Sequence, residues 1–269
     1  MAPRLVFISD HNSNGQRLAR VLAARGVQID AVLVQTGSPT RGKGPKVWAR
    51  SLLDAARSYG RFLKRQKAFY APLQTRVLPA GAMNSRRMIA LLKSLQPDYL
   101  IVGSGKILAA ETIETARCGV LNVHPGLLPW IRGSGVVGHA LLQNVPIGPT
   151  LHFIDAGIDT GAVIERRLLP ICNDGATLVQ LQEEAGELAA QMMGECVETI
   201  VQSGQKPPAT PQTTRFSLFK WPDVEVRRAQ AELVKSGRPR ELFEKWQGLT
   251  SGAPDWILPP EMMEIPRDL

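Results

Sequence analysis

Residues 4–34 confine the fold more than any other stretch of the chain. Arg4-Leu-Val-Phe-Ile-Ser9 is a short apolar run, a polar turn follows it, and Leu18, Val21 and Leu22 then recur at helical spacing. Gly26 stops that helix, and Gln28-Ile-Asp-Ala-Val-Leu-Val34 is a second apolar run. A strand, a helix and a strand within roughly thirty residues make a crossover unit, which joins parallel strands. The expectation is therefore an α/β chain built on a mostly parallel sheet.

The rest of the sequence extends the same alternation. Ser85–Leu95 predicts a helix, Tyr99–Val102 a strand buried on both faces, Ala109–Ala116 a helix and Gly119–Asn122 a further strand. Helical spacing returns over Ser134–Leu142, strand-like patterns over Thr150–Ile154 and Ala162–Leu168, and a long helix over Leu178 to about Val201. Gln205-Lys-Pro-Pro-Ala-Thr-Pro211 cannot continue that helix, because its prolines lack the amide hydrogen and clash with the preceding turn. The predicted boundary lies there, with a catalytic domain over 1–205 and a small C-terminal segment over 206–269 docked on it. There is no internal repeat.

Charge is distributed unevenly. The 269 residues carry 32 Lys and Arg against 24 Asp and Glu, a net +8. Ten of the basic residues and one acid, Asp54, lie between Gly37 and Ala80, so this insert carries the whole excess. A local patch points to a local anionic partner instead of a chain evenly coated for nucleic acid. From Val47 to Lys67 the insert predicts an amphipathic helix, with Leu52, Ala56, Tyr59 and Leu63 on one face. Such a helix packs by its apolar stripe, and contact with an anionic membrane surface is the alternative. Three cysteines without a CxxC pair make neither a disulfide framework nor a zinc site, so no metal is expected. The apolar run at the N-terminus is too short for a signal peptide, which predicts a cytoplasmic protein.

The chemistry concentrates in two segments. Gly119-Val-Leu-Asn-Val-His-Pro-Gly-Leu-Leu-Pro-Trp-Ile-Arg-Gly133 is a strand running into a proline-rigid loop. Asn122 and His124 are two apart, so an extended chain points both to one side at the carboxyl end of a strand, where open α/β sheets hold their ligands. Phe153-Ile-Asp-Ala-Gly-Ile-Asp-Thr-Gly161 places Asp155 and Asp159 in a tight loop between strands. An amide, a histidine and a carboxylate can converge on one point.

Asn122-x-His124-Pro-Gly-Leu-Leu-Pro129 followed by Asp159-Thr-Gly161 resembles the folate-dependent formyltransferases, a family that includes glycinamide ribonucleotide, methionyl-tRNA and sugar N-formyltransferases. The resemblance runs from Arg4 to about Gln202 and is specific between Pro97 and Val163. It implies a Rossmann-like core, 10-formyltetrahydrofolate as formyl donor, and Asn122, His124 and Asp159 as the catalytic set. Asn122 and His124 would face the developing oxyanion, His124 would relay a proton, and Asp159 would hold the imidazole. It further implies that Lys106, Ile107 and Leu108, together with Ile154 and Asp155, line the folate pocket. His152, Thr150 and Arg132 also match family positions.

The resemblance bears on the acceptor too. Ile8-Ser-Asp-His-Asn-Ser-Asn-Gly-Gln16 aligns with the turn that cradles the acceptor phosphate in the purine-synthesis members, with Ser13, Asn14 and Gln16 matching. Asp10 and Asn12 replace that turn's two glycines, which places a carboxylate where a phosphate would sit. Ser13, Asn14 and Arg132 are the expected acceptor-binding residues. A small, anionic amine such as an amino-sugar nucleotide is the expected acceptor, and nucleic acid is disfavoured as a partner because the tRNA-specific members carry a longer C-terminal barrel. Hydrolysis of the donor and formylation of glycinamide ribonucleotide or methionyl-tRNA are the alternatives. The aromatics Phe216, Phe219 and Trp221 either anchor the tail or stack on a base.

Overall fold

The computed structural model describes residues 2–10, 13–36, 60–173, 175–212 and 218–250. A seven-stranded sheet has the spatial order β3-β2-β1-β4-β5-β7-β8, formed by β1 (Leu5–Ser9), β2 (Ala31–Gln35), β3 (Arg76–Gly81), β4 (Tyr99–Gly103), β5 (Gly119–His124), β7 (Thr150–Phe153) and β8 (Val163–Arg166). β1 pairs in parallel with β2 and β4, β2 with β3 and β4 with β5, while β7 and β8 are an antiparallel pair. The expected α/β architecture on a mostly parallel sheet is what the structure has. Two compact units divide the chain: the first holds Met1–Asn122 and Met193–Pro207, the second Val123–Met192 and Pro208–Leu269.

In the first unit, β1 is buried along its whole length, as a strand covered on both faces must be. β2 starts at Ala31, three residues later than the apolar run, because Asp30 is diverted to cap β1. Its carboxylate accepts from the Leu5 amide at 2.7 Å and its own amide donates to the Leu5 carbonyl. α1 (Ser13–Ala24) buries Leu18, Ala19 and Leu22, and residues 60–69 are helical and are labelled α2. On α2 Gln66 is buried, Leu63 of the expected apolar face is half-buried, and Arg61, Lys64, Arg65 and Lys67 are exposed; the rest of that face, Leu52, Ala56 and Tyr59, lies outside the described residues. α3 (Arg86–Leu95) is opened by Ser85, whose hydroxyl accepts from the Met88 amide.

Two expectations need correction here. The helix predicted over Ala109–Ala116 is a single turn, α4 (Ala110–Ile113), and β3 was not anticipated at all. β3 is an edge strand containing Pro79, the position at which a sheet tolerates proline, and that proline hid the strand pattern.

The second unit contains the β7–β8 pair, α5 (Val136–Leu142), and a tail that folds as α7 (Val224–Lys235) and α8 (Arg238–Thr250). The long α6 (Leu178–Ser203) gives its first half to this unit and its end to the first. β6 (Arg132–Gly133) pairs in parallel with β9 (Leu218–Phe219), and Thr210 exchanges two backbone hydrogen bonds with Val163. The apolar core of the unit gathers Trp130, Ile131, Val137, Leu141 and Leu181 with Val234 and Leu242 from the tail. Trp246 of α8 meets Trp130 edge to face at 6.1 Å, and Gln230 of α7 fills the place that a Cβ on Gly138 would need. Helices in the tail were not anticipated.

Candidate functional site

His124 closes β5 and is 5% exposed. Its Nε2 lies 2.9 Å from the Ile131 carbonyl, which can only accept, so Nε2 carries a hydrogen. Nδ1 is the ring position left to gain or lose a proton, and it faces Asp159 Oδ2 at 3.6 Å. That separation exceeds a hydrogen bond, so the two groups meet electrostatically across a small gap. Gly126 makes the imidazole's seat possible: a Cβ there would lie 2.8 Å from the Ile131 carbonyl and 3.0 Å from His124 Nε2.

Asp159 is held from three directions. Its backbone has a φ of 53°, a left-handed conformation that Asp tolerates better than most residues. Its Oδ2 accepts from the Gly133 amide at 2.9 Å. The loop carrying it is clamped by Arg132, whose Nε and Nη2 both donate to the Ile158 carbonyl, and by Gln212, whose amide donates to the carbonyls of Asp159 and Gly161. Gly161 packs so tightly that a Cβ would meet the Phe153 carbonyl.

A second histidine stands beside this pair. His152 on β7 is 2% exposed, and its Nδ1 donates to the Phe153 carbonyl at 2.8 Å. Burial pushes its imidazole from the ordinary 6.5 down to about 4; proximity to His124 adds to the shift, and Asp159 and Asp155 oppose it. It is therefore neutral at physiological pH. Thr150, two residues earlier on β7, accepts from the Leu128 amide and donates to the Gly126 carbonyl, tying the loop after His124 to the strand.

His124 and Asp159 come together in the second unit, and Asn122 lies two residues before His124 on β5, a spacing that gives both the same face of an extended strand. Asp155 Oδ1 accepts from the Gly157 amide and the Thr160 hydroxyl, so it shapes its own loop, and Ile154 beside it is half-buried. Lys106, Ile107 and Leu108 follow β4 in the first unit; Ile107 is 64% exposed and Leu108 is buried. Asn84 holds that loop, donating to the Ile107 carbonyl and accepting from the Ala109 amide. Ser13 opens α1, and Asn14 is exposed and accepts from Arg17. The guanidinium of Arg132 is engaged by Ile158.

Phe219 packs on the second unit's core and stacks on His139 with ring centroids 4.6 Å apart, so it anchors the tail. Trp221 is 78% exposed, and Phe216 and His11 lie outside the described residues.

Sequence reasoning missed Gln212, Asn84 and the Ile131 carbonyl. The two side chains act on backbone groups distant in sequence, and a carbonyl has no residue identity to read. Among the described residues no cluster of His, Cys, Asp or Glu could hold a metal, and no helix is long and apolar enough to cross a membrane.

Residues 4–197 match the family model described as formyl transferase. A methionyl-tRNA formyltransferase of Bordetella pertussis is 31% identical over 224 residues, covering 81% of this chain and 68% of the relative. One from Alkaliphilus metalliredigens is 29% identical over 182 residues, 66% of this chain, and the chain spans about half of that protein, 51%. A solved 4-N formyltransferase from Francisella tularensis shares the fold at a TM-score of 0.55 and 13% identity, with 87% of each chain covered. The matched residues cover most of the chain and include β5, His124 and Asp159, and the chain belongs to the formyl transferase family.

Proposed function

We propose that the protein transfers the formyl group of 10-formyltetrahydrofolate to the amine of a small acceptor. The observation that carries this reading is the buried pair of His124 and Asp159 at the end of β5, inside the segment that matches the family model. In the reaction the acceptor nitrogen attacks the formyl carbon, the bond from that carbon to N10 breaks, and the proton lost by the amine balances the one gained at N10. The Asn122 amide supplies a neutral donor for the oxygen that becomes negative on attack. His124 takes and returns the proton at Nδ1, since Nε2 is committed to the Ile131 carbonyl. Asp159 stabilises the imidazolium that forms in between. His152, neutral and buried alongside, adds no competing positive charge.

The residues present suit a folate donor. Ile107 offers exposed apolar surface on a loop that Asn84 fixes, the kind of surface a flat heteroaromatic ring covers. An amino-sugar nucleotide is the acceptor class this reading favours. Methionyl-tRNA is the second reading, supported by the names of the relatives and by the exposed Arg61, Lys64, Arg65 and Lys67 on α2.

The test is incubation of the protein with formyl-labelled 10-formyltetrahydrofolate and, separately, an amino-sugar nucleotide, glycinamide ribonucleotide and methionyl-tRNA, with products followed by mass spectrometry. Label on the sugar amine is expected. Label on tRNA would select the second reading, and label recovered only as formate would replace transfer with hydrolysis.

A further inference from the structure

A cavity of about 710 Å³ opens in the first unit at the amino ends of the parallel strands β1, β4 and β5. Arg4 stands just before β1, Asp98 just before β4 and Arg117 shortly before β5, whereas Asn122 lies toward the other end of β5. The proposed chemistry therefore uses none of its walls. Its volume is that of sites that enclose small organic molecules.

Asp98 is the fixed point of the cavity. It is buried, its Oδ2 accepts from the Arg4 amide at 2.8 Å, and its Oδ1 accepts from Arg117 Nε at 2.6 Å. The Arg117 guanidinium beside it holds its carboxyl below the ordinary carboxylate value, so it stays ionised. The backbone holds the same corner independently: the Cys118 amide donates to the Asp98 carbonyl and the Arg117 amide to the Pro97 carbonyl.

Three cations, Arg4, Lys93 and Arg117, and three anions, Asp98, Glu111 and Glu114, line this one space. Two pairs cancel, Arg117 with Asp98 and Lys93 with Glu111 at 2.9 Å. One charge of each sign is left over. The Arg4 guanidinium meets the neutral Gln96 carboxamide, Nη1 to Oε1 at 3.3 Å, and the Glu114 carboxylate has no side-chain partner among the described residues. Arg117 gives Nε to Asp98 and keeps its two Nη groups for another acceptor. Exposed ion pairs add little to stability, so holding the fold does not account for this charge set.

The chemistry of the walls selects the occupant. A guanidinium binds a carboxylate through two parallel hydrogen bonds, and a carboxylate such as that of Glu114 accepts from an ammonium. The wall is neutral in sum, so a dianion such as phosphate would bring uncompensated charge next to Asp98 and Glu111. Among the described residues that line the cavity none is aromatic, which leaves a flat ring nothing to stack on.

We infer that this cavity is a binding site for a small zwitterion, an amino acid or short peptide, whose carboxylate meets Arg4 and Arg117 and whose ammonium meets Glu114. The site is separate from formyl transfer, and binding to it does not depend on the proposed function.

The experiment titrates the intact protein, with no folate donor present, and follows the backbone amide shifts of Arg4, Gln96, Asp98, Glu114 and Arg117. The probes are L-alanine and glycylglycine, N-acetylglycine as the anion without the ammonium, glycinamide as the cation without the carboxylate, and inorganic phosphate. At least one zwitterion should shift these amides and bind about tenfold or more tightly than the three singly charged or phosphate probes. The stronger of L-alanine and glycylglycine tells a free amino acid from a peptide. Glu114→Gln, at an exposed position, should leave the melting temperature unchanged, weaken the zwitterion about tenfold and leave N-acetylglycine as it was. Arg4→Met should weaken both, and should it fail to fold, Glu114→Gln decides. Zwitterions that leave these amides unshifted, N-acetylglycine or phosphate binding as tightly as the better zwitterion, or Glu114→Gln binding that zwitterion as before would overturn the assignment.

Discussion

His124 and His152 show how two identical side chains acquire different duties from their surroundings. His124 keeps one ring nitrogen next to a carboxylate, while His152 is sealed in the strand layer with its Nδ1 given to the Phe153 carbonyl. The burial of His152 has a consequence for stability. Its folded-state pKa of about 4 lies below the ordinary 6.5, so between these values the unfolded chain holds the extra proton. Stability from this group is fully present above pH 6.5 and is lost as the pH falls toward 4, by an amount on the order of 3 kcal/mol. Thermal melts across this range should show that decline, and His152→Gln should flatten it. A slope unchanged by the substitution would remove His152 as its source. The meeting of His124 and Asp159 was legible from the chemistry of their side chains and the motif that carries the resemblance, and the spacing of two predicts that Asn122 shares a strand face with His124. The partner of Nε2 was not, because the Ile131 carbonyl belongs to the backbone of a loop whose path no periodicity encodes.

At the scale of elements, loops carry the site and other segments hold the loops still. The stretch from 155 to 161 owes its shape to an Asp155 turn from within and to Arg132 and Gln212 from outside. Gln212 comes from the proline-rich stretch after α6, where Thr210 also joins the edge of β8. It acts as a positioning residue, setting where Asp159 stands. Gln212→Ala should lower kcat for formyl transfer about tenfold with the KM for the acceptor changed far less, since misplacing a catalytic partner by a fraction of an ångström acts on the reacting geometry. Steady-state kinetics with a matched thermal melt would check this; an equal loss of stability and activity would mean that Gln212 is a structural clamp only. The helices and strands of the first unit were readable from their periods, apart from α4, which is a single turn, and β3 with its edge proline. α7 escaped because its buried stripe is thin: it buries Gln230 and Val234 and little else.

On the scale of the whole molecule, chain order and spatial order part company. The second unit is assembled from residues 123–192 and the tail after Pro207, and its core mixes side chains from both. Trp246, 2% exposed against Trp130, is the tail's largest contribution, and the Arg166 guanidinium lies 5.4 Å from the centroid of the Trp130 ring. Trp246→Ala should cost about 3–5 kcal/mol through lost burial and the cavity left behind. Denaturant titration monitored by fluorescence would show it, and a cost below about 1 kcal/mol would mean that the tail is not part of this core. The sequence alone suggested a boundary near residue 205 because prolines interrupt the chain there, and the chain does enter the second unit after Pro207, but covalent breaks do not reveal which packed body a segment joins. The central claim is that His124, paired with Asp159, handles the proton of formyl transfer. Its most direct test is the rate of formyl transfer from 10-formyltetrahydrofolate by the unaltered protein and by His124→Ala, both first shown to melt at the same temperature. A loss of about 10²–10⁴-fold in kcat is the expected result, and a variant that transfers the formyl group at the unaltered rate would contradict the account.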